Sequence, residues 1–422
     1  MMKTTRQSSK LKEFADVLRH EFRHIFHDAG VMLIVVGAIL IYATAYSLAY
    51  RNEVLREVPV AVVDLSHTAS SRQLVRSFDA TPNLKVAYKP SSLEEAKELF
   101  FARKINGAIV IPSDYEKKLL RNERVNLAVY ADASYFLMYR QVFFDVTGSV
   151  LHSNSDIEWR RFVSRGAQPE QAQALSNPLS LSVRNMYNPY GGYASFVMPA
   201  IILLIIQQTL LIGIGMVGGT WRERKLYKTL IPTGAERMSV IPLVLGKSAA
   251  YVSIYALTLL YVLGFHYKLF GYPMNGRPGD IVLFLLPYIL SCTFMGIAFS
   301  SLFKYRENSL IFLLFTSIPF LMLSGVSLPE QAMPGWLFRF GKIIPSSSGV
   351  DGFVRIQTMG ATLNEVSVQF RTLWILTGAY FVLACLGMRN VLFRVERKDA
   401  QRKEKTADGP ADPQPTENIR TL

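Results

Sequence analysis

Six stretches of the chain are apolar on every helical face for long enough to approach the ~20 helical residues that a hydrocarbon layer of ~30 Å requires. They run from Gly30 to Tyr50, Ala194 to Gly218, about Ser248 to Phe265, Ile281 to Leu302, Leu310 to Val326 and Thr372 to Leu392. The first carries no charge and outlasts the ~7–15 apolar residues of a cleaved leader, so it reads as a retained span behind a polar head. Between the first two runs the pattern changes to that of an α/β domain. VPVAVVDL (from Val58), LKVAY (from Leu84), NGAIVIP (from Asn106) and VNLAVYAD (from Val125) read as strands. Helices are expected between them: one capped by Ser70 and Ser71, one by Ser91 or Ser92, and a short one from Tyr115 to Arg121. Further helices are expected over Phe136–Val150 and Asp156–Leu175. Alternating strands and helices predict a small parallel or mixed sheet.

In the head, Leu11, Phe14, Ala15, Leu18, Phe22, Ile25 and Phe26 share one helical face, the pattern of a helix lying flat on a membrane surface. His20, His24 and His27 fall on the same helix. Two histidines four apart can chelate a metal, but no carboxylate or cysteine motif supports it, so they read as a polar face. After the fifth run, Pro329, Pro334 and Pro345 break the chain into semi-apolar pieces, Trp336–Ile344 and Gly349–Met359, too short to cross. Such pieces suit a re-entrant hairpin buried in protein. Its acidic residues, Glu330 and Asp351, show no partner for acid–base chemistry.

The charges locate the ends. The chain has 422 residues, 46 Lys+Arg against 32 Asp+Glu, a net charge of +14, 18% charged residues and a mean hydropathy of +0.21. That balance excludes a set of soluble domains and, for most of the chain, disorder. The basic residues collect in the head (Lys3 to Arg23), in the loop after the second run (Arg222, Arg224, Lys225, Lys228, Arg237, Lys247), at Lys304 and Arg306, and in the tail (Arg389 to Lys405). With six spans these lie on one side, so both termini are expected in the cytoplasm of a plasma (inner) membrane protein. Topology accounts for the positive charge without nucleic acid.

Residues 1–29 are thus expected as a cytoplasmic head and 30–50 as the first span. Residues 51–193 would be an extracytoplasmic α/β domain. Residues 194–392 would hold five further spans, with a cytoplasmic elbow at 219–247 and an outer hairpin at 327–360, and 393–422 a disordered basic tail. The fold class is a mainly α membrane protein with an inserted α/β domain.

Little in the chain reads as chemistry. Cys292 and Cys385 form no CxxC pair. Gly246-Lys247-Ser248 lacks the glycine a phosphate loop needs at Ile241, and no strand precedes it. Asp64, Asp114 and Asp132 sit near strand ends, where ligands bind in open α/β sheets, yet turn and helix capping explains them. No catalytic residue, cofactor or metal is expected. Gln207 and Gln208, polar in the middle of the second span, are candidates for a transport pathway, with helix–helix hydrogen bonding the alternative.

Four segments carry a resemblance: VPVAVVDLSHTASSRQLVRSFDATPNLKV, INGAIVIPSDYEKKLLRNERVNLAVYAD, GGTWRERKLYKTLIPTGAERMSVIPLVLGKSAAY and LSGVSLPEQAMPGWLFRFGKIIPSSSGVDGF. In order and topology the chain resembles the permease subunit of an ABC-2-type exporter, in the subgroup with a large domain between its first two spans. The resemblance implies a homo- or heterodimer of permease chains bound to cytoplasmic ABC ATPase subunits, contact with membrane lipids, and a periplasmic adaptor as a further partner. It implies outward transport of a hydrophobic, amphipathic or lipid-linked substrate. The elbow residues Trp221, Arg222, Glu223, Arg224, Lys225 and Lys247 would then dock the ATPase. This sequence departs from the family's Glu-x-Gly-Thr elbow core, because Gly219-Thr220 precede Trp221. A membrane-anchored receptor or scaffold is the alternative, and it leaves the elbow and hairpin unexplained. An integral membrane enzyme would need clustered ionisable residues at span ends; His152 and His266 stand alone in the sequence.

Overall fold

The computed structural model describes residues 2–51, 54–179, 183–189, 191–227 and 239–407, excluding the side chains of 2–9, 396 and 398–407. The chain divides into two compact units, one of Asn52–Asn185, the other of Met1–Arg51 with Met186–Leu422.

The helical unit opens with α1 (Met2–His27) and continues in α2 (Ala29–Ala49). The inserted unit follows: β1 (Val58–Asp64), α3 (Ala69–Asp79), β2 (Leu84–Tyr88), α4 (Leu93–Phe101), β3 (Gly107–Ile111), α5 (Tyr115–Leu120), β4 (Ala128–Ala131), α6 (Phe136–Ser164) and α7 (Pro169–Ser176). Its sheet is mixed, in the order β2-β1-β3-β4, with β1 parallel to both neighbours and β4 antiparallel to β3. Apolar residues on both faces of β1 explain its central place. Val58, Val60 and Val62 join Leu74 and Phe78 of α3 and Val142 of α6, whereas Ala61 and Val63 pack with Ala96 of α4 and Ala108. Two details differ from the sequence reading. The cap of α3 is Thr68, whose hydroxyl accepts from Ser71 N–H at 3.2 Å while Ser71 Oγ accepts from Thr68 N–H at 3.0 Å. The second helix expected after β4 is divided: its first part, to Ser164, continues α6 across His152–Ser155 without a break in the backbone, and the remainder is the separate α7.

Among the described residues, six helices are long and apolar enough to cross a membrane. Span one is α2; spans two to six are α8 (Tyr193–Glu223), α9 (Val240–Phe270), α10 (Pro278–Ser300), α11 (Arg306–Leu323) and α14 (Ser367–Ala407, of which Ser367–Val395 is the apolar part). Between spans five and six lie α12 (Gly335–Gly341) and α13 (Pro345–Gln357). Span two is the most enclosed and packs against spans one, four and five and against α13. The packed residues of this unit form a single apolar core. Spans one and three each contain one π turn, at Leu33–Gly37 and Val262–His266. Spans one and five turn many large apolar side chains outward, among them Leu33, Ile41, Phe312 and Phe315. A surface of that kind suits lipid rather than water.

The expected tail differs as well. Span six continues without a break to Ala407, and residues 408–422 lie outside the description. Span three reaches back to Val240 and span two forward to Glu223, so much of the expected elbow is the terminal turns of two spans. Its predicted break, LIPTG, together with Lys228 and Arg237, lies outside the described residues.

Candidate functional site

Among the described residues the buried carboxylates and ammonium, Glu13, Glu21 and Lys247, lie where α1 meets span three. Along α1 the buried positions recur every four residues: Glu13, Val17, Glu21 and Ile25. This is not the apolar face that hydropathy picks out, for Leu11 is 72% exposed and Phe26 50%. The face is chosen by what lies opposite, since α1 packs lengthwise on span three. Gly246 permits the close approach: a Cβ there would stand 2.9 Å from both the Phe14 carbonyl oxygen and the Val17 side chain.

At the next residue, Lys247 Nζ donates to both carboxylate oxygens of Glu21 at 2.7 and 2.9 Å. Both side chains are almost fully enclosed. Tyr251 adds a third donor, its hydroxyl 3.1 Å from Glu21 Oε1. The ammonium also stands 4.0 Å from the centre of the Trp221 ring, so the last turn of span two supplies a cation–π contact. Trp221 is flanked by the rings of His24 and Tyr227 at 5.4 and 5.3 Å. A buried ion pair saturated by a hydroxyl and an aromatic face specifies one geometry more than it stabilises. Here it fixes the seating of α1 on spans two and three.

A second charged contact ties span one to span five. Asp28 caps span one, accepting from Gly30 and Val31 N–H at 3.1 Å each, and takes a two-pronged bond from Arg306, with Nη2 at 2.9 Å from Oδ1. The Arg306 hydrogen bond, joined by those backbone donors, holds the Asp28 carboxyl below its usual value against the opposing effect of burial.

The six expected elbow residues separate into two groups. Trp221 and Lys247 are buried and form no outer surface. Arg222 is half-buried, donating to the backbone carbonyls of Ser301 and Phe303, the latter at 2.7 Å, and so closes the end of span four. Glu223, Arg224 and Lys225 are exposed where the helix ends, with Lys225 in a left-handed conformation at φ 53°. His20 and His24 pack on Trp221, and burial holds the His24 imidazole below its usual value.

The two glutamines also separate. Gln207 is enclosed, and its amide works as a remote cap for α13. Its Oε1 accepts from Ser346 N–H at 2.9 Å and its Nε2 donates to Ser346 Oγ at 3.1 Å. The first N–H groups of a helix lack intrahelical partners, and span two supplies one here. Replacing Gln207 by Leu should therefore cost about 1–3 kcal/mol, the penalty of stranding a buried donor, read as a lower melting temperature in detergent; an unchanged melt would mean that Ser346 finds another acceptor. Gln208 differs: both polar atoms of its amide are enclosed and lack a hydrogen-bond partner. In the segment before span six, Glu330 pairs with Lys342 at 2.9 Å and Asp351 accepts from Gln369 at 2.6 Å, so both carboxylates have structural partners.

Asp64, Asp114 and Asp132 of the inserted unit make turns and caps. Asp64 accepts from Ser66 N–H, His67 N–H and Ser71 Oγ, Asp114 pairs with Lys118, and Asp132 accepts from Ser134 N–H.

Sequence reasoning missed Glu21, Tyr251, Asp28 and Arg306. The available signal was a lysine inside an apolar run and a glutamate on the buried repeat of the head, neither of which names its partner 226 residues away.

Two relatives match nearly end to end. The chain is 25% identical over 390 residues to "Inner membrane transport permease YhhJ" of Escherichia coli K12, covering 88% of this chain and 96% of that protein. It is 21% identical over 363 residues to "Probable multidrug ABC transporter permease YbhR" of the same strain, covering 85% and 92%. The family profile "ABC-2 family transporter protein" matches residues 29–386, from the first residue of span one into span six. With six spans and this match over most of its length, the chain belongs to the ABC-2 family of transporter proteins.

Proposed function

We propose that the chain is the permease subunit of an ATP-driven exporter in the inner membrane, paired with a second permease chain and with cytoplasmic ATPase subunits. In this reading the head and tail are cytoplasmic, residues 51–193 lie outside, and the substrate is hydrophobic, amphipathic or lipid-linked. The inner-membrane and multidrug wording in the names of the two relatives supports this reading.

The observation that carries the reading is the locked contact of α1 with spans two and three. A separate ATPase needs a rigid element through which movement reaches the spans. A helix joined to two of them through one saturated ion pair moves them together. Glu223 and Lys225, exposed beside that contact, are the proposed docking points, with Arg222 closing the bundle behind them. Gln208, with an unmet amide in mid-span, remains the proposed pathway residue, while Gln207 serves α13.

Charge reversal at both docking points (Glu223→Lys with Lys225→Glu) should reduce the ATPase subunit that co-purifies with the tagged chain about tenfold, a loss of about 1.4 kcal/mol, with unchanged insertion in the membrane. Full co-purification would remove these two residues from the interface. A wild-type chain that never brings down an ATPase would refute the permease reading itself.

A further inference from the structure

The inserted unit holds a cleft of about 540 Å³ between α3, α5 and the second half of α6. It opens beside the carboxyl ends of β1 and β3, since α3 follows the first of these strands and α5 the second. In the order β2-β1-β3-β4 the chain leaves β1 for one neighbour and returns on its other side, so the sheet has its switch point there. Open α/β sheets bind ligands at such a point. Side-chain bonds tie the walls to one another. Ser70 donates to Glu116 at 2.7 Å, the Ser77 and Ser153 hydroxyls lie 3.4 Å apart, and Arg161 donates to the Leu119 carbonyl at 2.6 Å. The cleft is therefore pre-formed. Leu74, Leu119, Leu120 and Ile157 give it an apolar side. The guanidiniums of Arg160, Arg161 and Arg165 stand in its lining against a single carboxylate, Asp156. Asp156 pairs with Arg160 at 3.0 Å and Glu158 with Arg161 at 2.6 Å, whereas Arg165 makes no ion pair among the described residues. Tyr115, also in the lining, is only 5% exposed, yet its hydroxyl is not sealed off and makes no hydrogen bond among the described residues. Burial holds its phenol above the usual value, so the hydroxyl keeps its proton and stays a donor. Native structures leave few such groups without a partner.

We propose that this cleft binds a small anionic amphiphile, with Arg165 as the counter-charge, the Tyr115 hydroxyl as a donor to the ligand, and the leucines and Ile157 receiving its hydrocarbon body. A concave surface with an excess of one charge concentrates the opposite one, and a guanidinium matches the paired oxygens of a carboxylate. The volume falls within the range of small-molecule pockets. The site lies wholly within the inserted unit, so it stands or falls separately from the exporter reading.

Equilibrium dialysis of radiolabelled octanoate against the full-length chain in phosphatidylcholine nanodiscs, with empty nanodiscs as the blank, tests it. The expected result is saturable binding of one octanoate per chain, which octanol of the same length does not displace. Arg165→Gln and Tyr115→Phe should each weaken binding about tenfold, and Arg165→Lys should restore most of it. Leu120→Glu, at a residue 79% exposed, places a carboxylate beside the ligand's own and should weaken binding at least tenfold without unfolding the unit. Lys97→Gln, on α4 across the sheet, should leave it unchanged. Displacement by naphthalene-2-sulfonate would support a site for anions on any apolar body, and failure to displace one for acyl carboxylates. Absence of saturable binding up to millimolar octanoate would overturn the proposal. So would equal competition by octanol, or binding indifferent to both Arg165→Gln and Leu120→Glu in chains of wild-type melting temperature.

Discussion

Replacing Lys247 by methionine should destabilise the helical unit by about 3–5 kcal/mol, the cost of leaving one partner of a buried ion pair unpaired. The Glu21 carboxylate would keep only the Tyr251 hydroxyl, in a space otherwise closed to water. Glu21→Gln strands the ammonium instead and should fall in the same range, tempered by the Trp221 ring still beneath it. The informative variant is the double one, Glu21→Leu with Lys247→Met. Two apolar side chains of similar volume remove both desolvation costs together, so most of the stability should return. Melting temperatures in detergent read the first effect. In the assembled complex, the double variant should fold and bind its ATPase yet lose most substrate-stimulated hydrolysis, because α1 is no longer held to one seating. If the single variants melt with the wild type, the pair is not the lock described.

The second large effect is expected at the opposite end of span four. α13 lies against span four through two glycines, and a Cβ at Gly349 would stand 2.4 Å from the Tyr288 ring and one at Gly352 2.3 Å from the Phe284 ring. Neither ring is at the free end of a flexible chain: Tyr288 is buried with its hydroxyl 2.6 Å from the Leu203 carbonyl, and Phe284 is wholly enclosed. Gly352→Val should therefore push α13 off its seat. The strain of overpacking is about 1–3 kcal/mol, and the displaced helix also loses the Gln207 cap. Transport should fall at least tenfold, while ATPase binding, proposed to rest on Glu223 and Lys225, stays intact. Measured side by side in one preparation, equal losses of both would mean general misfolding and would count against a separate role for α13.

How much of this was legible in the sequence depends on the range of the interactions. The spans were visible because each is a local run of apolar residues. Their ends were not, because the closing turns carry charges that only distant partners neutralise. Lys247 reads as the end of a run until Glu21 is placed against it. Arg306 reads as a loop residue until Asp28 is placed beside it, after which span five begins there. The head was legible as a helix, but its buried face was not, since Glu13 and Glu21 lie on the packed side and Leu11 and Phe26 outside. The expected elbow residues divide by burial, which no periodicity distinguishes. Gln207 and Gln208 are neighbours of the same type, and only the position of Ser346 tells them apart.

The π turn of span one has a bearing on registry. The buried positions of that helix are Val31, Val35, Ile39, Ala43 and Ser47, a strict four-residue repeat. In an ideal helix, steps of four residues drift around the axis by roughly 40° each, so five such positions would spread over nearly half the circumference. The wider turn at Leu33–Gly37 absorbs part of that drift and keeps the five positions closer to one straight line. A straight line of small and β-branched residues at equal spacing looks almost the same after a slip of one turn. What breaks the degeneracy is the notch at Gly213, where a Cβ would come within 2.4 Å of Val35 Cγ2. Span one is thus set at its height in the bundle by this knob in its hole together with two polar ties at its ends, Asp28 to Arg306 and Ser47 to His266.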